Sequence, residues 1–239
     1  MIQEQEKNNL EKIAHNSLYT TLSNQATIEH SYNVFKPYLL NGKILELGPA
    51  EGLMTELLLT HTNELTVVDG SSQFCSTLSS KFPQIIVINE LFENFSTNIK
   101  FDNIVLGHVL EHVENPILIL ERVKEFLKPN GRIFAAVPNA HSLHRQAAVL
   151  MGLIKSESEM SELDFHHGHR RIYNPFSFRS DFIQAGFNIY HYGGYWLKPV
   201  SNQQIHASWN IQMLQAFMKL GERYPDIAAE IFIIADNIE

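Results

Sequence analysis

Between Lys43 and Pro138 the chain alternates short apolar runs with longer amphipathic ones. The runs Lys43–Leu47, Leu65–Val68, Ile85–Ile88, Asn103–Leu106 and Arg132–Val137 carry almost no polar residue and are too short for helices. They predict strands, the first of them buried. In the intervals, apolar residues recur at helical spacing, as at Leu53, Met54, Leu57 and Leu58, and at Ile117, Leu120, Val123 and Leu127. The second of these helices is the best delimited. Asn115 stands as its N-cap, Pro116 in its first turn, and Lys128-Pro129-Asn130-Gly131 as its stop. Strands that alternate with helices predict a mostly parallel sheet covered on both faces.

Flanking segments follow a different pattern. Residues 1–40 read as an N-terminal helical cap, with Tyr19, Leu22, Ile28, Tyr32, Val34 and Phe35 scattered among polar positions. Residues 139–173 follow the fifth strand and read as an inserted helical lid, with His141, His144, Arg145, His166, His167, His169, Arg170 and Arg171 around the apolar middle Ala147 to Ile154. Asn174-Pro175 opens another capped helix, with Phe178, Phe182 and Ile183 leading to a stop at Gly186. A strand at Asn188–Tyr192, one helix over Gln203–Leu220 and a last strand at Glu230–Ala235 complete the reading. The last two strands are expected to form an antiparallel edge pair. The whole, 1–239, reads as a single domain around seven strands.

Charge and composition narrow the chemistry. A net charge of −8 offers no basic field to hold a nucleic-acid backbone, so a nucleic-acid substrate is not expected. A polar N-terminus and the lack of any membrane-length apolar run lead us to expect a cytoplasmic protein without membrane association. Cys75 is the only cysteine, which removes internal disulfides and cysteine-based zinc sites. The twelve histidines point the chemistry toward imidazole, and seven of them lie between positions 108 and 169.

The densest information is in KILELGPAEG, Lys43 to Gly52, where a buried strand meets a helix at a glycine-rich corner. Glycine lets a ligand approach the main chain, and the helix start offers unpaired N–H groups. Asp69 ends the next strand, at the place where an acidic residue can hold a ribose. A dinucleotide fingerprint would need a second and third glycine in register. The run Gly48-Pro49-Ala50-Glu51-Gly52-Leu53 lacks them, and Glu51 would repel a pyrophosphate.

Taken together, LELGPAEG, VVDGS, FDNIVLGHVLEHV, LKPNGRIFAAVPN and GHRRIYNPFSFRSDFIQAGF resemble the successive signatures of class I S-adenosylmethionine-dependent methyltransferases, over about residues 40–190. The likeness is to the small-molecule branch that includes ubiquinone-type O-methyltransferases. It implies a Rossmann-like, seven-stranded, mostly parallel α/β sheet with S-adenosyl-L-methionine as cofactor. By that resemblance Glu46, Gly48, Pro49, Ala50 and Gly52 line its methionine side and Asp69 takes the ribose hydroxyls. Glu90, Leu91 and Phe92 would lie near the adenine, and Gly107 and His108 beside the sulfonium. Ala50 stands where the family usually has a glycine.

Methyl transfer needs in-line positioning, and a hydroxyl acceptor also needs a base. His169 is the first candidate for that base and His112 the second. His144, Arg145, Arg170, Arg171 and Tyr195 are the candidate substrate-binding residues, the arginines because a guanidinium fork suits phosphate or carboxylate. His108, Glu111 and His112 form an H-x-x-E-H run similar to the metal-bearing E-x-x-E-H of some ubiquinone-type relatives. With His108 expected to face the cofactor, no metal is expected. The acceptor is expected to be a small molecule, most plausibly a hydroxyl of a sugar, glycan precursor or secondary metabolite. The alternatives are a non-catalytic cofactor-binding partner subunit, or a protein or tRNA methyltransferase.

Overall fold

The computed structural model describes residues 2–16 and 21–237. Tyr19 of the expected cap, and the chain's outermost residues, lie outside them. In chain order the elements are α1 (Ile2–His15), α2 (Leu22–Phe35), β1 (Ile44–Leu47), α3 (Leu53–Leu58), β2 (Leu65–Asp69), α4 (Ser72–Lys81), β3 (Ile86–Asn89), β4 (Phe101–Gly107), α5 (Pro116–Phe126) and β5 (Leu127–Pro138). There follow α6 (Leu143–Leu150), α7 (Glu162–His166), α8 (Pro175–Gln184), β6 (Asn188–Tyr195), α9 (Asn202–Ser208), α10 (Ile211–Gly221) and β7 (Glu230–Asp236). The seven strands form one open sheet in the order β3-β2-β1-β4-β5-β7-β6. Six of them run in one direction, and only β7, inserted between β5 and β6, runs antiparallel. This is the α/β Rossmann-like arrangement the alternation predicts, with the antiparallel pair at one edge.

Two-residue periodicity divides the core. Ile133, Ala135 and Val137 of β5 face one layer with α5 and α8, whereas Phe134 and Ala136 face the other with α2, α3 and α10. Because the parallel strands all end on the same edge, the residues that follow them converge there, beside the point where β1 and β4 diverge to opposite neighbours. Asn115 and Asn174 cap α5 and α8 as read from sequence, each side chain accepting from backbone N–H groups of the first turn. The helix expected over Gln203–Leu220 is instead two. Trp209 is extended, and Asn210 accepts from Met213 N at 2.9 Å, starting α10 afresh. An asparagine that satisfies N–H groups as a cap competes with its own place inside a helix.

Both flanking segments reach the carboxyl edge. Glu11 on α1 accepts from Ser72 N at 2.5 Å and from Ser71 Oγ at 3.0 Å, placing a carboxylate at the N-terminus of α4. The segment 139–173 contributes α6 and α7 over the ends of β4 and β5. Among the described residues no helix is long and apolar enough to cross a membrane.

Candidate active site

β1 is buried throughout and delivers Glu46 and the following turn to the sheet edge. Gly48, Ala50 and Gly52 have φ of 68°, 47° and 82°. A Cβ in that left-handed region costs about 1–2 kcal/mol, which Ala50 bears. A Cβ on Gly48 would stand 2.9 Å from Val109 Cγ2, and one on Gly52 would stand 2.6 Å from Leu78 Cδ2. Gly48 therefore keeps the turn close to the loop after β4. Gly52 packs behind the turn, against α4, and is absent from the cavity wall it was expected to line.

Two buried carboxylates flank this turn. Burial lifts the Glu46 carboxyl to about 8, against the hydrogen bond that Thr55 Oγ1 donates to it at 2.6 Å. Burial also raises Asp69 to about 6, opposed by backbone N–H groups. Its Oδ1 accepts from Ser71 N at 2.8 Å and its Oδ2 from Ala50 N at 3.4 Å. Each oxygen thus keeps a lone pair for a further donor, as two neighbouring hydroxyls require.

Two cavities open from this edge, of about 300 Å³ and about 110 Å³, and Gly48, His108, His112 and His167 border both. The smaller has Asp69, Gly70 and Ser71 on one side, Leu91 and Phe92 on another, and Leu10 and Ile13 of α1 across them. That suits a ribose and an apolar ring. Glu90, expected here, is outside the wall: its Oε1 accepts from Leu91 N at 3.0 Å and lies 3.6 Å from Lys7 Nζ, tying the turn to α1. Gly70, Ser71 and Phe74 were not foreseen as lining residues, although Ser71 before an apolar-periodic run is a legible N-cap. The larger cavity runs from Glu46, Gly48, Pro49 and Ala50, past Gly107, to the segment 139–173. An acidic wall beside a turn of close-approach backbone fits the ammonium and sulfonium of S-adenosylmethionine.

Beyond the turn the cavity is polar. His108, at φ 58°, borders it with its Nε2 buried and without a hydrogen-bond partner. Its Nδ1 lies 3.4 Å from Glu111 Oε1 and 3.9 Å from Glu230 Oε2. Burial would lower this imidazole, but the two carboxylates outweigh it and raise its pKa. Both Glu111 oxygens are buried and lack hydrogen-bond donors, and burial lifts Glu230 to about 7. Burial also drives His112 down to about 4, so it is neutral. His169 Nδ1 lies 3.3 Å from Asp164 Oδ1, and its ring meets His112 edge-on at 4.8 Å between centroids. Glu111, His112 and His169 each offer one ligand atom within 4.8 Å of the others. One carboxylate and two imidazoles suit a divalent transition metal. This set has His169 where the sequence run had His108.

The expected substrate residues part company here. His144 lines the larger cavity, neutral because burial and the nearby Lys198 and Arg145 charges push it down to about 3. Arg145 also lines it, but its guanidinium donates to the Glu157 and Glu159 carbonyls and so ties α6 to the stretch before α7. Arg170 and Arg171 leave the cavity altogether. Arg170 donates to His112 O at 2.8 Å and to Glu6 at 2.7 Å, and Arg171 to Leu110 O, Val113 O and Glu114 O. They satisfy the carbonyls of the irregular loop after β4, a need sequence does not display. Tyr195 is fully buried beside His30 and Phe232, in the core layer under the sheet. Lys198, Glu230 and Thr27 line the cavity without having been singled out as site residues, and so does Trp196, one of an aromatic cluster with Tyr192 and Tyr195 that the sequence offered as a pocket lining.

Comparison with known proteins agrees with this geometry. A methyltransferase-domain family profile matches residues 24–192. A ubiquinone biosynthesis O-methyltransferase of Pasteurella multocida is 30% identical over 129 residues, 48% of this chain and 53% of the relative, so the chain spans about half the length of that curated relative. Among solved structures, a methyltransferase from Thermotoga maritima, described as a possible histamine N-methyltransferase, superposes with a TM-score of 0.68 at 15% identity over 96% of this chain and 98% of that one. The N-methyltransferase NodS of Bradyrhizobium japonicum, in complex with S-adenosyl-L-homocysteine, gives 0.61 at 14% identity over 99% of both chains. The match over residues 24–192, the seven-stranded sheet and the cradle at Gly48 to Asp69 make the chain a member of the class I S-adenosylmethionine-dependent methyltransferase family.

Proposed function

We propose that this protein methylates a hydroxyl of a small polar molecule, with S-adenosylmethionine as donor. The observation that carries the reading is the larger cavity, which begins at the cofactor turn and ends among buried polar atoms without hydrogen-bond partners: His108 Nε2, both Glu111 oxygens, His144 Nδ1 and Glu230 Oε2. Burying such atoms unpaired costs about 1–3 kcal/mol each, so a polar acceptor that pairs them binds favourably. Bound at the turn, the cofactor supplies an electrophilic methyl group on a sulfonium. The chain's own task is to hold the acceptor in line, exclude water and take up a proton.

His169 is the residue we assign to the proton. Asp164 beside its Nδ1 orients the ring and supports the imidazolium, which leaves the other nitrogen for the acceptor. His112, neutral and encased, serves better as a packing partner for that ring. A cofactor-dependent screen of hydroxylated metabolites for S-adenosylhomocysteine release tests the proposal, with nucleotide sugars and phenols included. Turnover confined to amines, or to peptides, would contradict the hydroxyl assignment.

The Glu111–His112–His169 cluster favours a second reading, in which these three hold a divalent ion that orients the acceptor oxygen. Dialysis against a chelator separates the two. Activity that survives keeps His169 as base, and activity lost and restored by added metal makes it a ligand.

A further inference from the structure

Lys198 has no task in the reading so far. It follows β6, is 8% exposed and lines the larger cavity. An ammonium taken out of water costs several kcal/mol unless something compensates it. Among the described residues no hydrogen-bond acceptor and no carboxylate oxygen within 4.0 Å meets it. Its Nζ rests over the Trp196 ring, 4.8 Å from the centroid. Burial lowers its pKa to about 8, opposed by Glu230, so it stays mostly charged at neutral pH. Trp196 Nε1, a donor only, is likewise buried and unpaired in the same wall. The Trp196 backbone is locked at φ 66° by hydrogen bonds to Met218 O and from Ala229 N, of 2.9 and 2.8 Å.

We propose that Lys198, with the indole N–H of Trp196, holds a carboxylate of the acceptor. The inference rests on the methyl-transfer reading and narrows its substrate class to hydroxyl-bearing carboxylic acids. Charge balance selects carboxylate over phosphate. The same cavity is lined by Glu111 and Asp164, both carboxyls held below the ordinary carboxylate range, and Arg145 turns Nε and one Nη to the Glu157 and Glu159 carbonyls with its other Nη 3.9 Å from Asp164, so the Lys198 ammonium suits one added negative charge better than two. An anion held there lies across the cavity's polar end, beyond β5 and β7, and leaves the turn after β1 to the cofactor.

Calorimetry on the full chain saturated with S-adenosylhomocysteine tests this, using benzoate, the isosteric benzamide, and inorganic phosphate as probes. Benzoate should bind at least tenfold more tightly than benzamide and phosphate. Lys198→Met should erase that preference while S-adenosylhomocysteine affinity stays within about twofold, and Lys198→Arg should retain part of it. Equal binding of benzoate and benzamide, or a preference that survives Lys198→Met, overturns the proposal. So does phosphate binding as well as benzoate. A tenfold loss of S-adenosylhomocysteine affinity in Lys198→Met, at unchanged Tm, would give the lysine to the cofactor's own carboxylate and overturn it too. If Lys198→Met fails to fold, the wild-type contrast and Lys198→Arg decide. Failure of the wild type to bind S-adenosylhomocysteine would instead strike the methyl-transfer reading, and the benzoate–benzamide contrast on the unliganded protein would still judge Lys198.

Discussion

The two halves of the carboxyl edge are built on opposite plans. Over β1 and β2 the polar groups are already engaged: Glu46 accepts from Thr55, and Asp69 from Ser71 and Ala50. Over β4, β5 and β7 they are left open, at His108 Nε2, Glu111, His144 Nδ1, Trp196 Nε1 and Glu230 Oε2. The first half is a cradle whose shape is fixed by backbone, with left-handed residues at Gly48, Ala50 and Gly52. The second is a chamber lined by buried polar atoms that make no hydrogen bond within the chain. A site of fixed shape suits a ligand common to a family, and open polar atoms drawn from distant segments suit one particular to this chain.

Mutations can break that contrast, and the largest effect belongs to the chamber. His169→Ala should lower kcat by roughly a hundredfold, the usual size of a general-base contribution, with S-adenosylhomocysteine affinity nearly unchanged. Normal turnover with a raised KM would reduce His169 to an orienting group. Next comes the scaffold beneath it. Arg171→Met removes three bonds to loop carbonyls and should cost about 2–3 kcal/mol of unfolding free energy in urea, without a change in acceptor KM beyond that of the folded fraction. A specific loss of acceptor binding would return Arg171 to the site.

A smaller effect sharpens the cradle's side. The folded Glu46 carboxyl titrates near 8 and its ordinary value is 4.5, so between those pH values the unfolded chain releases a proton that the folded chain keeps. Stability is therefore whole below 4.5 and falls as pH rises toward 8. Glu46→Gln should remove that slope and stabilise the unliganded protein at pH 8 by about 1–3 kcal/mol, while weakening cofactor binding through loss of a partner for the ammonium. Identical wild-type and variant melting at pH 8 would contradict the burial argument. Smallest of all, Glu90→Gln should change cofactor affinity less than about twofold, because its carboxylate faces Lys7 and the turn outside the cavity.

The same contrast governs what sequence could reveal. The cradle is contiguous: a buried strand, a glycine turn and a helix within residues 44–58, then an acid at the end of the next strand, so periodicity and motif both find it. The chamber is assembled by topology. Glu230 reaches His108 because β7 inserts antiparallel beside β5, and Lys198 arrives on the exit of the edge strand β6. No local pattern marks either. Side-chain chemistry alone also misled at the arginines, since a fork that suits a phosphate suits loop carbonyls equally, and Arg170 and Arg171 took the carbonyls. Tyr195 was misplaced by facing: the adjoining residue, Trp196, turns at φ 66° and lines the cavity, while Tyr195 points into the core layer with α2.

The central claim is that the turn after β1 and the acid after β2 form one cofactor cradle. Calorimetric titration of S-adenosylhomocysteine into the wild type and Asp69→Ala, side by side, tests it most directly. Loss of an acceptor for two hydroxyls should weaken binding at least tenfold, in line with about 1.5–3 kcal/mol for hydrogen bonds to a charged group, at a Tm close to the wild type. Equal affinity in the two proteins would contradict the account.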